Sequence, residues 1–275
     1  LSLFETCPRK WWYQYLAPKP VDEAETTEGL APIHTRPALL RGSHLHFLVE
    51  AWLRSGCRDG ADTGERSVDL ALEAGRADVA KREREYATPE DFAADIDECA
   101  AMLRGYHDYF GPGGYRPDYP ETKVLFDTLG EPLIEREFVI DLQAGGRLYT
   151  ARLDLIAEDH GFVKVWEHKS SAASWVSRRL GSIGMDSQFT SLAFVLCTVY
   201  PDVPLGGVKI NVLVKSYAGV SRSKFAPAER GETTRTDLQL QRFRFDVLGT
   251  LQRIDDAVGA YHALLRLGVE PFEAG

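Results

Sequence analysis

Residues 147–171 read RLYTARLDLIAEDHGFVKVWEHKSS, and this stretch decides the fold. Two runs of alternating apolar residues, 147–158 and 162–169, flank the turn-like Asp159-His160-Gly161. That pattern predicts a β-hairpin. Side chains alternate along a strand with a period of two, so Glu167 and Lys169 share one face and His168 takes the other. With an odd register across the turn, Asp154 sits opposite or diagonal to Glu167, roughly 5 to 8 Å away. Carboxylates at that spacing can hold one hard divalent cation such as Mg²⁺, which prefers carboxylate and water oxygens. Lys169 is a cation that does not compete for metal; it can orient a water or offset charge on a phosphate.

Three further stretches fall in order around the hairpin. LSLFETCPRKWWYQYL opens the chain, Gly42-Ser43-His44-Leu45-His46 follows, and Gln188 lies in MDSQFTSLAFVL. A lone D-x12-E-x-K is common by chance, but the ordered set is specific. Together the stretches resemble the PD-(D/E)XK nuclease superfamily, in the RecB-like and AddB-like branch that includes the CRISPR-associated RecB-like exonucleases, with the lambda-exonuclease-like fold. The resemblance implies an α/β (α+β) core of restriction-endonuclease kind, a central mixed sheet flanked by helices with an added helical lobe. It implies Mg²⁺ or Mn²⁺ held by His46, Asp154, Glu167 and the backbone carbonyl of His168, with Asp154, Glu167 and Lys169 catalytic. The activity implied is metal-dependent DNA hydrolysis, of exonuclease type, in recombination, repair or phage and CRISPR DNA processing. DNA is then the partner, with a helicase or another recombination or CRISPR protein beside it. A catalytically silent DNA- or protein-binding module of the same fold is the alternative; intact Asp154, Glu167 and Lys169 count against it.

The same branch places a tyrosine four residues after its glutamine. Here that position is Leu192, while Gln188 is retained. In several RecB-like nucleases one cysteine of the N-terminal helix joins three C-terminal cysteines around an iron–sulfur cluster. Cys7 matches the first, so a cluster would need a segment beyond Gly275 to supply the other three.

Other residues are weighed around this centre. His44 and His46 lie about 200° apart on a helix, so only one can face the site; the spacing from Gly42 favours His46. Glu50, one turn on, is a candidate to orient its ring. Glu135 or Glu137 could complete the acidic cluster, and alternation does not choose between them. Arg152 shares the face of Asp154 if the strand is regular. Gln188 can hydrogen-bond a DNA phosphate or hold the active-site strand. Ser170, Arg178 and Arg179 are further candidates for phosphate contacts. The cluster Trp11, Trp12, Tyr13 and Tyr15 could stack bases, but helix packing is the more common role for such residues.

At 275 residues and 44% hydrophobic content, the chain can bury a full core as a single nuclease domain over 1–275. It lacks an initiator Met and ends abruptly at PFEAG, which suits a trimmed part of a longer protein. No apolar run is long enough to span a bilayer. The N-terminus carries Arg9 and Lys10 between aromatics, unlike a signal peptide. Four widely spaced cysteines give no C-x-x-C pair, so neither a zinc site nor a disulfide framework is indicated, and a reduced cytoplasmic location is expected. A net charge of −9 argues against nonspecific coating of DNA. Locally the balance reverses: residues 206–244 hold eight Lys and Arg against three acids, either a phosphate-binding surface or a solvated loop.

Periodicity predicts helices over 2–16, 37–54, 66–86, 89–110, 184–200 and 246–267, with an acidic loop at 20–36. The helical lobe spans about 60–112. Strands are expected near 123–127, 133–142, 147–158, 162–169, 206–216 and 238–245, and a mobile loop over 217–236.

Overall fold

The computed structural model describes residues 37–82, 88–142, 146, 148–215 and 228–267. The helix expected at 2–16, the acidic stretch 20–36, Cys7 and the aromatic cluster at 11–15 lie outside them. Chain contacts separate two units: residues 34–237, and residues 238–275 with 1–33.

In the larger unit, Pro37 opens helix α1 (Pro37–Arg54), a position where a missing N–H costs nothing. A two-stranded hairpin follows, β1 (Cys57–Arg58) with β2 (Ala61–Asp62). Helices α2 (Val68–Arg82) and α3 (Pro89–Phe110) follow. Thr88 caps α3, its Oγ1 accepting from the Asp91 N–H at 3.1 Å, with Pro89 in the first turn as the sequence signals. Leu45, Leu48 and Trp52 of α1 pack with Leu103, Tyr106 and Phe110 of α3 in one buried cluster. Each such side chain contributes about 1.5–3 kcal/mol by leaving water.

Six strands form the mixed sheet: β3 (Thr122–Val124), β4 (Ile134–Asp141), β5 (Leu148–Asp159), β6 (Phe162–Ala172), β7 (Leu205–Lys215) and β8 (Ala228–Thr233). Strands β3 and β4 pair with successive parts of β5, and the order continues β5-β6-β7-β8. Every pairing is antiparallel except β6–β7. A parallel pair needs a long crossover; here it carries helices α4 (Ala173–Ser182) and α5 (Ser187–Val199).

The helices flank both faces of the sheet. Ile134, Leu155, Trp166 and Leu213 join the cluster of α1 and α3. On the other face, a Cβ at Gly231 would meet Ile183 Cδ1 at 2.9 Å, Leu180 Cδ2 at 3.1 Å and Ile210 Cγ2 at 3.4 Å. Gly231 pairs with Ile210, and Ile210 with Glu167, so helix α4 lies on the face of Glu167.

Two expectations need correction. The segment 217–236 is not a loop throughout, since Ala228–Thr233 is the edge strand β8; Gly231, the residue that admits α4, hides its strand signal. The strand expected at 238–245 is instead the start of helix α6 (Asp237–Arg266). The run LQLQRFRF alternates, yet neither Gly nor Pro interrupts 237–248, and Leu, Gln and Arg are strong helix formers. Among the described residues no helix is long and apolar enough to cross a membrane.

Candidate active site

The turn between β5 and β6 fixes the site. Asp159 pairs with Phe162, leaving His160 and Gly161 as a two-residue loop. Both have positive φ, 52° and 81°. Two such residues make the type I′ turn whose twist matches antiparallel strands. From there the ladder runs to Leu155 opposite Trp166. One further step puts Asp154 opposite Glu167, but the backbones separate there, and the Asp154 carboxylate takes the place of a ladder partner. Its Oδ2 accepts the His168 N–H at 2.7 Å. Both carboxyl groups are buried, Asp154 at 7% and Glu167 at 3% exposure.

Alternation along β4 and β5 changes phase at this point. Ile134 and Leu155 face α1 and α3. Yet Phe138 packs on Tyr200, and Tyr149 packs on Phe194 and bonds Ser191 Oγ at 2.6 Å, so the same parity further along faces α5. Between the two phases stand Glu135 and Asp154, whose pairing is missing from an otherwise regular ladder. Glu135 has φ 50°, the left-handed region that non-glycine residues rarely adopt. This kink selects Glu135 over Glu137. It also removes the premise that Arg152 and Asp154 share a regular face, although Arg152 still reaches the site: its Nε lies 2.7 Å from Glu135 Oε2.

Helix α1 supplies His46. Its Nδ1 lies 3.2 Å from Glu135 Oε1 and 3.4 Å from Asp154 Oδ2. One ligand atom from each of His46, Glu135 and Asp154 falls within 4.8 Å of the others. Two carboxylates and an imidazole suit Mg²⁺ or, more readily, Mn²⁺. The charges of the cluster act on one another. Burial disfavours the His46 charge, but Asp154 and Glu135 override it and push its pKa up to about 10. Burial also works against the Asp154 charge, yet His46 and the His168 amide hold this carboxyl below its usual range. Glu167 goes the other way: burial, then the charge of Asp154, raise it against the opposing pull of Lys169. The expected role of Glu50 is not seen, because its carboxylate bonds Arg54 Nε at 2.9 Å.

Glu167 lies outside the three-residue cluster and is held from α5. Asp186 caps that helix by accepting the Gln188 N–H at 2.8 Å, and Gln188 Nε2 donates to Glu167 Oε1 at 2.6 Å. The ammonium of Lys169 pairs with the same oxygen. Gln188 is thereby bonded to the strand that carries Glu167 and Lys169. Leu192, one turn on, is buried in the core.

Ser170 is half-buried just beyond the lysine, and Arg178 and Arg179 are exposed on α4. The His168 side chain is buried on the opposite face, its Nδ1 3.1 Å from Asn211 Nδ2, and burial pushes its pKa down to about 4. Part of the basic segment is not a surface at all. Lys209 bonds Asp159 at 2.9 Å, Arg230 bonds Asp118 at 2.7 Å, and Arg235 donates to the Ile183 carbonyl at 2.9 Å; Arg222 and Lys224 lie outside the described residues.

Comparison with known proteins bears on the whole chain. No curated protein matches it. A solved structure of the protein SSO0001 aligns over 77% of this chain and 88% of its own, at 14% identity and a TM-score of 0.31, too loose a likeness to carry an argument. A family model described as the PD-(D/E)XK nuclease superfamily matches residues 1–261. With Asp154, Glu167 and Lys169 gathered on two strands of a mixed sheet, the chain belongs to the PD-(D/E)XK nuclease superfamily, a class of metal-dependent nucleases.

Proposed function

We propose that this chain is a Mg²⁺- or Mn²⁺-dependent deoxyribonuclease of the RecB-like and AddB-like branch, acting as an exonuclease in recombination, repair or phage and CRISPR DNA processing. The observation that carries the reading is the convergence of His46, Glu135 and Asp154 within 4.8 Å beside the Glu167–Lys169 pair. His46, Glu135 and Asp154 would hold the ion, with Glu167 and the His168 carbonyl completing the family's ligand set. When bound, the ion supplies charge neutralisation at the scissile phosphate and a water of lowered pKa.

The chain's own residues divide the remaining work. Glu167 fixes the Lys169 ammonium, which offsets negative charge developing on the phosphate. Gln188 holds Glu167 in turn, so that lysine and carboxylate keep one geometry. Burial of Asp154 and Glu167 strengthens each of these interactions by excluding water. The partners proposed are DNA and a helicase or other recombination or CRISPR protein, in the cytoplasm.

The test is cleavage of end-labelled single- and double-stranded DNA, linear and circular, with Mg²⁺, Mn²⁺ or EDTA. Metal-dependent cleavage of linear DNA, lost in Lys169→Ala and Asp154→Ala, is expected. Cleavage that survives both substitutions would overturn the assignment. DNA binding without cleavage would favour a silent module of the same fold.

A further inference from the structure

Helix α4 follows the active-site strand without a linker, since β6 ends at Ala172 and α4 begins at Ala173. It lies on the face of Glu167, with Val176 buried and Leu180 packed at Gly231. Its outer side carries Trp175, 55% exposed, with Arg178 Cζ 5.1 Å from the ring centroid. Trp52 and Trp166, by contrast, are 3% and 1% exposed. Packing accounts for those two and not for Trp175. Charge supplies a second, independent observation. Residues 169–185, KSSAASWVSRRLGSIGM, contain Lys169, Arg178 and Arg179 and no acid, in a chain of net charge −9. Neither arginine forms an ion pair with a described residue.

Resting on the nuclease reading, we propose that Trp175 is a stacking platform for an unpaired nucleotide, on the helix that directly follows the strand of Glu167 and Lys169, with Arg178 and Arg179 on the flanking phosphates. An exposed indole beside acid-free cations fits single-stranded nucleic acid, where a base offers a free π-face and the backbone offers negative charge. In a closed duplex both faces of each base are already stacked. The platform thus makes single strands, or frayed duplex ends, the preferred substrate. It acts by positioning, because a nucleotide held on α4 fixes the phosphodiester presented to Lys169.

Binding is measured in a Lys169→Ala background, which prevents cleavage, using an oligo-dT of about 12 nucleotides and a blunt duplex in Mg²⁺. Trp175→Ala should weaken oligo-dT binding roughly tenfold to hundredfold and abolish the quenching of tryptophan emission. Trp175→Phe should restore the affinity to within about threefold, because a smaller ring still stacks. Duplex affinity should change far less than that for oligo-dT. Equal weakening for both DNAs, or none for either, overturns the proposal. The two readings separate cleanly. Cleavage by the wild-type chain with single-strand binding untouched in Trp175→Ala refutes the platform alone. Loss of oligo-dT binding in Trp175→Ala, with no cleavage of any DNA by wild type, refutes the nuclease reading alone.

Discussion

Metal binding at His46 should release a proton at neutral pH, and the geometry sets the size of the effect. Without metal, Asp154 and Glu135 hold the imidazole charged, with a pKa of about 10. A ligating histidine must be neutral. At pH 7 that group sits three units below its pKa, and at 1.36 kcal/mol per unit its deprotonation costs about 4 kcal/mol, on the order of a thousandfold in apparent affinity. Affinity should therefore rise about tenfold per pH unit between pH 6 and 9 and level off near 10. The same shift governs the metal-free fold with the opposite sign. Its pKa is raised above the usual 6.5, so the contacts of His46 with Asp154 and Glu135 stabilise fully below pH 6.5 and fade as pH climbs toward 10. Calorimetric titration with Mn²⁺ in two buffers of different ionisation enthalpy counts the protons. About one per ion is expected at pH 7, falling in His46→Ala and retained in Glu167→Gln. Affinity independent of pH between 6 and 8.5, with no proton released, would refute the reasoning.

Three shorter predictions rest on other contacts. Asp159 is 1% exposed and bonds Lys164 at 3.0 Å and Lys209 at 2.9 Å; Asp159→Asn should cost about 2 kcal/mol in urea unfolding at pH 7, because two buried ammonium groups lose one of their two shared carboxylates and keep only the half-exposed Glu232. Burial works against this carboxylate, but Lys209 and Lys164 bring its pKa down to about 2, so its contribution is present above about pH 4 and lost as pH falls toward 2; the variant's stability should be flatter over that window. Glu135→Gly relieves about 1 kcal/mol of backbone cost at φ 50° but gives up the pairs with His46 and Arg152, so metal-free stability should change by less than about 1 kcal/mol while Mn²⁺ binding weakens, seen by thermal denaturation and calorimetry. Gln188→Ala should slow cleavage about tenfold by freeing the Glu167–Lys169 pair, with KM changed much less; an unaltered rate would remove Gln188 from the positioning role.

Much of this was legible in the residues because local rules agreed with the fold. His160-Gly161 is a strong turn signal, and a two-residue turn makes the distance from Asp154 to Glu167 a matter of counting along two strands. The Thr88-Pro89 start of α3 needed no tertiary information either. What the sequence hid was set at longer range. Glu135 and Glu137 have the same parity, and only the kink at Glu135 separates them. Lys209 and Arg230 looked like a basic surface because their partners, Asp159 and Asp118, are distant in the chain. Helix α4 is amphipathic, with Val176 and Leu180 four residues apart, but it is only ten residues long and ends in Gly181-Ser182, too short a run to stand out beside the strands.

One hidden feature, the kink at Glu135, coincides with the site for a physical reason. A regular β4–β5 pair would spend the backbone groups at Glu135 and Asp154 on each other and aim both side chains along a uniform face. Losing that pairing leaves the Asp154 carboxylate to accept the His168 amide and lets Glu135 meet His46, which arrives from a helix on the opposite layer. Left-handed backbone at a glutamate costs on the order of 1–3 kcal/mol, and gathering the Glu135 and Asp154 carboxyl groups around His46 sets two like charges close together. Nothing in the packing of the sheet requires either cost. Both become intelligible if the cluster is built around a divalent cation, since the ion that binds there recovers the repulsion as affinity. On this reasoning a substitution that restores regular pairing should make a more stable protein and a poorer metal site.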